Sequence, residues 1–309
     1  MKVGLKETCL FGAIALSFTA CTGQPVENKG SETKAQNAEA PLVIGAIPDQ
    51  DPEKVQRLSG KLVAYLKTEF QVPVTFQPVT DYAAAVTAFK VGDLDLVWFG
   101  GLTGVQARLQ VKDAQAIAQR DIDEKFQSVF IANAKSGLKL FKETNQLTTL
   151  KNHTFTFGSE SSTSGRLMPQ YFIQEAGMTL DDFKGKVGFS SNHDATLKLV
   201  EAGTYDAGAL NSQVWDSRVK EGDVDQKKVT VLWRTPPYYD YHWVVRPDVE
   251  TRYGAGFTKK LQTALTSLNP EVPEQKEILE LFGAEKFIPT ENKNYAQIEK
   301  IGRQIGKIQ

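Results

Sequence analysis

PLVIGAIPDQDPEKVQRLSGKLVAYLKTEFQVPVTFQPVTDYAAAVTAFKVGDLDLVWFGG, residues 41–101, is the stretch whose reading decides the fold. Leu42–Ile47 is a short, branched apolar run of strand length. Residues 53–70 then carry Val55, Leu58, Leu62, Tyr65, Leu66 and Phe70 at helical spacing. Val72–Val79 predicts a second strand, Tyr82–Phe89 a helix, and Leu94–Trp98 a third strand that runs into Phe99, Gly100 and Gly101. A helix near 102–111 and a strand over Ala114–Ala118 continue the alternation. Strands separated by helices predict an α/β sheet of mostly parallel strands.

The same grammar restarts after Ser128. Val129–Ala132, His153–Phe157, Lys186–Ser190, Tyr205–Leu210 and Val229–Trp233 read as strands, with helices over Gly165–Ala176 and Asp194–Ala202. Tyr241–Val245 predicts one more strand, and helices follow at about 250–268, 274–282 and 291–306. These last helices exceed what the second unit needs and are placed back on the first. Two α/β lobes result, 41–127 with 239–309 and 128–238, joined by two chain crossings near 126–130 and 234–241. A cleft between such lobes, facing strand ends, is where ligands bind.

Toward the N-terminus the chain changes character. Lys2 and Lys6 precede the apolar run Cys9–Leu16, and Ser17-Phe18-Thr19-Ala20 leads to Cys21. This pattern predicts a signal peptide over 1–20, too short to span a bilayer, with Cys21 as a lipidated new terminus. Residues 21–40 are polar and lack aromatic residues, as expected of a flexible tether. The expected location is the periplasm, with the membrane reached through the lipid.

Thirty-six Lys and Arg against thirty-seven Asp and Glu leave a net charge of −1. No global basic field exists to hold nucleic acid, so any anion must be gripped by local groups. Two cysteines and three scattered histidines argue against structural metal sites and disulfide frameworks. No cofactor is expected.

Chemistry gathers at predicted strand ends. GSESSTSG (158–165) follows the strand His153–Phe157 and opens a helix, so Ser161, Ser162, Thr163 and Ser164 stand where backbone N–H groups and the helix dipole favour an anion. A plain Ser-rich helix cap is the bland alternative. The loop lacks the GK[ST] ending of a nucleotide-binding loop, and no GxSxG nucleophile elbow is present. Ser190-Ser191-Asn192-His193-Asp194 enters the next helix in the same way. One of Ser190, Ser191 or Asn192 caps it, and His193 offers an imidazole unless it is simply a surface residue. Trp98, Phe99, Tyr238, Tyr239, Tyr241 and Trp243 are expected mainly in core and hinge packing, with Trp98 a secondary candidate for the cleft wall.

The segments IPDQDPEK (47–54), TDYAAAVTAFKVGDLDLVWFG (80–100), SVFIAN (128–133), FGSESSTSGRLMP (157–169), SNHDA (191–195), YDAGALN (205–211) and TPPYYDYHWVV (235–245) resemble the substrate-binding component of phosphate, phosphite and phosphonate ABC importers. The resemblance runs over essentially all of 41–305, and within the family it is closest to proteins labelled selenate-binding components. It implies a type II periplasmic-binding-protein fold that closes on a tetrahedral oxyanion and delivers it to an ABC permease and its ATPase, acting as a monomer. By motif position it implies Tyr82 as a hydroxyl donor, Ser162, Thr163 and Ser164 as loop donors, His193 as an imidazole donor, and Asp240 as the carboxylate beside the ligand. Ser161 and Phe126 are secondary candidates. Where aminoalkyl-phosphonate binders carry a tyrosine this chain has Phe126, and where they carry an acid it has Gln213, which argues against an amine-bearing ligand.

Asp240 bears on the choice of anion. A carboxylate repels a fully deprotonated anion but accepts a charge-assisted bond from one that keeps a proton. Phosphate-type groups, with a second pKa of about 6, still supply that proton near neutrality. Phosphorus oxyanions are therefore expected over selenate, provided that Asp240 faces the ligand and does not pair with Arg234 or Arg246. Ser162, His193 and Asp240 as a hydrolase triad would need an elbow and an oxyanion hole, so the chain reads as a binder and not an enzyme.

Overall fold

The structure, a computed structural model, describes residues 40–309. The expected signal peptide, Cys21 and nearly all of the tether lie outside the described residues. The first lobe begins with β1 (Leu42–Ala46), α1 (Pro52–Phe70), β2 (Val74–Phe76), α2 (Tyr82–Val91), β3 (Leu96–Phe99), α3 (Gly101–Gln110) and β4 (Gln115–Arg120). Local chemistry sets these boundaries. Asp51 caps α1 by accepting the Glu53 N–H with Pro52 at the first helical position, and Asp81 caps α2 by accepting the Ala84 N–H at 2.8 Å. Pro73 and Pro78 flank β2 and trim the longer strand expected over 72–79.

The second lobe holds β5 (Ser128–Asn133), β6 (Phe155–Phe157), α4 (Met168–Glu175), β7 (Gly188–Phe189), α5 (His193–Glu201), β8 (Ala207–Asn211), α6 (Ser212–Glu221) and β9 (Val229–Arg234). The chain then returns through β10 (His242–Val245), α7 (Val249–Tyr253), α8 (Phe257–Thr266), α9 (Pro273–Phe282), β11 (Phe287–Pro289) and α10 (Ala296–Gln304). One sheet runs β11-β4-β10-β3-β1-β2 and the other β7-β6-β8-β5-β9.

Both sheets are mixed, which corrects the expectation of mostly parallel strands. β1 pairs in parallel with β2 and β3, whereas β10 lies antiparallel between β3 and β4. β5 is antiparallel to both β8 and β9. The strands that enter a lobe at a crossing, β5 and β10, run against those joined by helices, because the chain arrives from the opposite end. The helix expected over 250–268 is broken into α7 and α8 by Gly254 and Gly256, both at positive φ. α6 and β11 carried no clear periodicity and were not expected.

The first lobe packs Phe89, Phe99, Trp98, Trp243, Phe282 and Phe287 into one core that also takes in α8, α9 and α10. In the second, Phe130, Phe155, Phe157 and Trp233 cover one face of the sheet, and Val129, Ile131, Leu210 and Trp215 the other. Burial on both faces explains the near-continuous apolar character of β5. The two crossings lie side by side, with Phe126 and Tyr238 exchanging backbone bonds at 2.9 Å in each direction.

Candidate functional site

The serine loop leaves β6 and winds as a π-helical turn over Thr163–Leu167 before α4. Ser162 caps it, its Oγ accepting the Gly165 N–H at 2.9 Å, while the Leu167 N–H reaches back to the Ser162 carbonyl at 2.9 Å. Gly165 is required by close approach. A Cβ there would stand 3.0 Å from Ser162 Oγ, 3.1 Å from Gly158 Cα and 3.2 Å from His193 Cε1.

The opposite wall comes from the first lobe. Thr163 Oγ1 accepts the Leu102 N–H at 2.9 Å, so the serine loop touches the start of α3 directly. Asp240 is fully buried, and its Oδ1 accepts the Gly101 N–H at 2.8 Å. Its Oδ2 has no partner, and neither do Tyr82 Oη or Ser164 Oγ, all three buried. Asp240 lies close enough to Tyr82 to oppose ionisation of the phenol, and Ser162 and Ser164 lie near the Tyr82 and Tyr238 hydroxyls without completing a hydrogen bond to either. Two donors and one acceptor, drawn from both lobes, are therefore left without partners near one another. Buried polar atoms without partners are costly, and a bound group that satisfies them gains that energy back.

Charge around these atoms is arranged against a permanent anion of the protein's own. Burial pushes the Asp240 carboxyl up to about 7, against the opposing Gly101 bond. Arg234 pairs with Asp216 and Arg246 with Asp248, so neither is the partner of Asp240. The nearby Arg120 is spent on Asp123 at 2.7 and 2.8 Å and on the Phe282 carbonyl at 2.8 Å, leaving it as a fixed positive charge behind Tyr241. Arg166 stacks over Phe157 and Phe189, and burial draws its guanidinium down to about 10.

His193, expected as a donor to the ligand, has protein partners at both ring nitrogens in the structure. It heads α5, where Asn192 is the capping residue among the three candidates, accepting the Ala195 N–H at 2.8 Å. His193 Nδ1 lies 3.4 Å from the Asn211 N–H and Nε2 lies 3.1 Å from the Tyr241 hydroxyl, so both nitrogens already have protein partners. Burial holds the imidazole neutral, down to about 4. Trp98 stacks on Tyr241 with centroids 5.6 Å apart and belongs to the first-lobe core behind the site. Phe126 packs edge-on against Tyr241 at 5.5 Å, Ser161 is half-buried on the loop, and Gln213 donates to Ser217 at 2.9 Å. Asp206 secures Thr154 through bonds of 2.8 and 2.9 Å and is structural. Among the described residues no group of three or more His, Cys, Asp or Glu is placed to hold a metal ion.

The sequence does not single out Asp49 or the Tyr241 hydroxyl, both of which contact His193. Asp49 follows the first strand at a position equivalent to the serine loop, which was the available signal.

Two α/β lobes joined by paired crossings, with unpartnered buried polar atoms contributed by both, define a substrate-binding protein of the type II periplasmic class. The chain belongs to the family of periplasmic substrate-binding proteins of phosphonate ABC transporters, whose model matches residues 44–295. It is 48% identical over 268 residues to the probable ABC transporter phosphite-binding protein PhnD1 of Prochlorococcus marinus strain MIT 9301, covering 86% of this chain and 90% of that protein. The solved structure of PhnD1 in complex with methylphosphonate superposes with a TM-score of 0.85, covering 86% of this chain and 98% of that one. A phosphate-import protein, PhnD of Mycolicibacterium smegmatis, is 24% identical over 245 residues, covering 76% of this chain and 73% of that protein. The selenate label finds no support in these relatives. Its family is one of binding proteins, not of enzymes.

Proposed function

We propose that this protein captures phosphite and methylphosphonate, small phosphorus oxyanions, and presents them to the permease and ATPase of an ABC importer. The observation that carries the reading is the convergence of three buried, unpartnered atoms, Tyr82 Oη, Ser164 Oγ and Asp240 Oδ2. Two hydroxyls donate to anionic oxygens, and a carboxyl shares one proton with a ligand that retains one. Ser162 and Thr163 of the same loop complete the cradle. His193 acts behind it by holding Tyr241. The chemistry suits an anion with a hydrogen or methyl substituent, because Gln213 offers no negative charge to an ammonium tail. The similarity to PhnD1 supports the same class of ligand.

Among the described residues no helix is long and apolar enough to cross a membrane. Attachment through an acylated Cys21 and a tether over 21–40 would keep the two lobes, 41–127 with 239–309 and 128–238, near the permease.

Calorimetric titration with phosphite, methylphosphonate, phosphate and selenate across pH 5.5–8.5 tests the proposal. Phosphite and methylphosphonate are expected to bind most tightly. Tight selenate binding that ignores pH, with no heat from the phosphorus anions, would overturn it.

A further inference from the structure

Asp49 stands outside the proposed set of ligand contacts, yet it is only 5% exposed and lies at the seam of the two lobes. Its backbone carbonyl accepts the His193 N–H at 3.0 Å, and its carboxyl lies beside the Tyr241 hydroxyl. The Tyr241 oxygen in turn lies 3.1 Å from His193 Nε2 and 3.1 Å from Asn211 Nδ2.

The donors and acceptors admit one consistent assignment. Asn211 donates its backbone N–H to His193 Nδ1, which leaves the imidazole proton on Nε2. An amide nitrogen and a protonated ring nitrogen then both donate to the Tyr241 oxygen and fill its lone pairs. The single phenolic proton goes to Asp49. We propose that Asp49 is a positioning residue of the anion site, the terminal acceptor of a chain Asn211–His193–Tyr241–Asp49 that is complete only when the lobes are together. Asn211 and His193 sit on the second lobe, Tyr241 and Asp49 on the first. Burial, the largest influence, raises the Asp49 carboxyl to about 6, while Tyr241, Arg120 behind it and Lys54 on α1 favour the ionised form, so it remains an acceptor at neutral pH.

This inference rests on the reading of the site as an anion binder, and its test separates the two. Methylphosphonate affinity is measured by calorimetry for the wild type, Asp49→Ala, Asp49→Asn, Tyr241→Phe and the double variant Asp49→Ala/Tyr241→Phe. Asp49→Ala is expected to weaken binding about tenfold, and Asp49→Asn by no more than about threefold, because its amide oxygen accepts the same hydrogen. In the Tyr241→Phe background, Asp49→Ala is expected to cost nothing further. Wild-type affinity in Asp49→Ala, an equal loss in both backgrounds, or an asparagine as damaging as alanine would each overturn the chain. If the wild type binds neither methylphosphonate nor phosphite, the functional reading falls, and the same cycle read by thermal unfolding still tests the chain.

Discussion

Asp240 is half satisfied: one carboxyl oxygen takes the Gly101 N–H and the other is free. Its carboxyl, raised to about 7, keeps a proton in the closed site that it would release in water. For a carboxyl raised in this way the favourable contribution is present at low pH and lost as pH rises through the raised value. Affinity for methylphosphonate is therefore expected to fall as pH rises past about 7, and Asp240→Asn to flatten that fall in a pH series of titrations. Ser164→Ala removes a buried hydroxyl that only a ligand satisfies, so binding should weaken by about 1–3 kcal/mol with thermal stability unchanged or improved. A fall in stability with intact binding would instead make Ser164 a structural residue. Sequence reading reached Ser162, Thr163 and Ser164 through their placement between a strand and a helix. It reached Tyr82 and Asp240 only through motif resemblance, because a lone tyrosine and a lone aspartate have no local signature.

At the scale of elements, the proposed site rests on two helix starts. One is the π turn opened by Ser162, where glycine at 165 lets His193 pack against the backbone. The other is α5, opened by Asn192. Asn192→Ala should lower stability by about 1 kcal/mol, seen as a fall in Tm, since it leaves the Ala195 N–H unpaired. Periodicity exposed most strands and the helices of both lobes, because each is set by residues a few positions apart. It failed where length or pairing came from elsewhere. β11 spans three residues, Phe287–Pro289, and exists by pairing with β4. α6 has the weakly patterned sequence SQVWDSRVKE and is secured at its start by Asn211, which accepts the Gln213 and Val214 N–H groups.

Across the whole molecule, direct bonds join the lobes. Besides His193 to Asp49, the Asp51 N–H donates to Asp194 Oδ2 at 2.9 Å, and Asp194 is itself held by Arg218 at 2.7 and 3.1 Å. This pair orients a carboxylate at the cleft mouth so that a backbone donor of the other lobe completes it. Asp194→Ala leaves Arg218 its bond to Glu221 but removes that acceptor. Faster ligand release, by about tenfold in stopped-flow measurements, is expected with a smaller change in association rate. An unchanged release rate would show that the latch carries no share of closure.

Sequence alone determined the alternation of strands and helices, the double crossing, the hydroxyl-rich loop and the absence of a global charge, because all of these follow from local patterning and composition. Only the tertiary structure decided which atoms are left for a ligand. His193 and Tyr241 are 48 residues apart, Leu102 and Thr163 are 61 apart, and Gly101 and Asp240 are 139 apart. Each of these bonds consumes a donor or acceptor that the sequence leaves free. Partnering is a property of distance in space, and folding therefore gave both His193 ring nitrogens protein partners and left Tyr82 Oη, Ser164 Oγ and Asp240 Oδ2 without one.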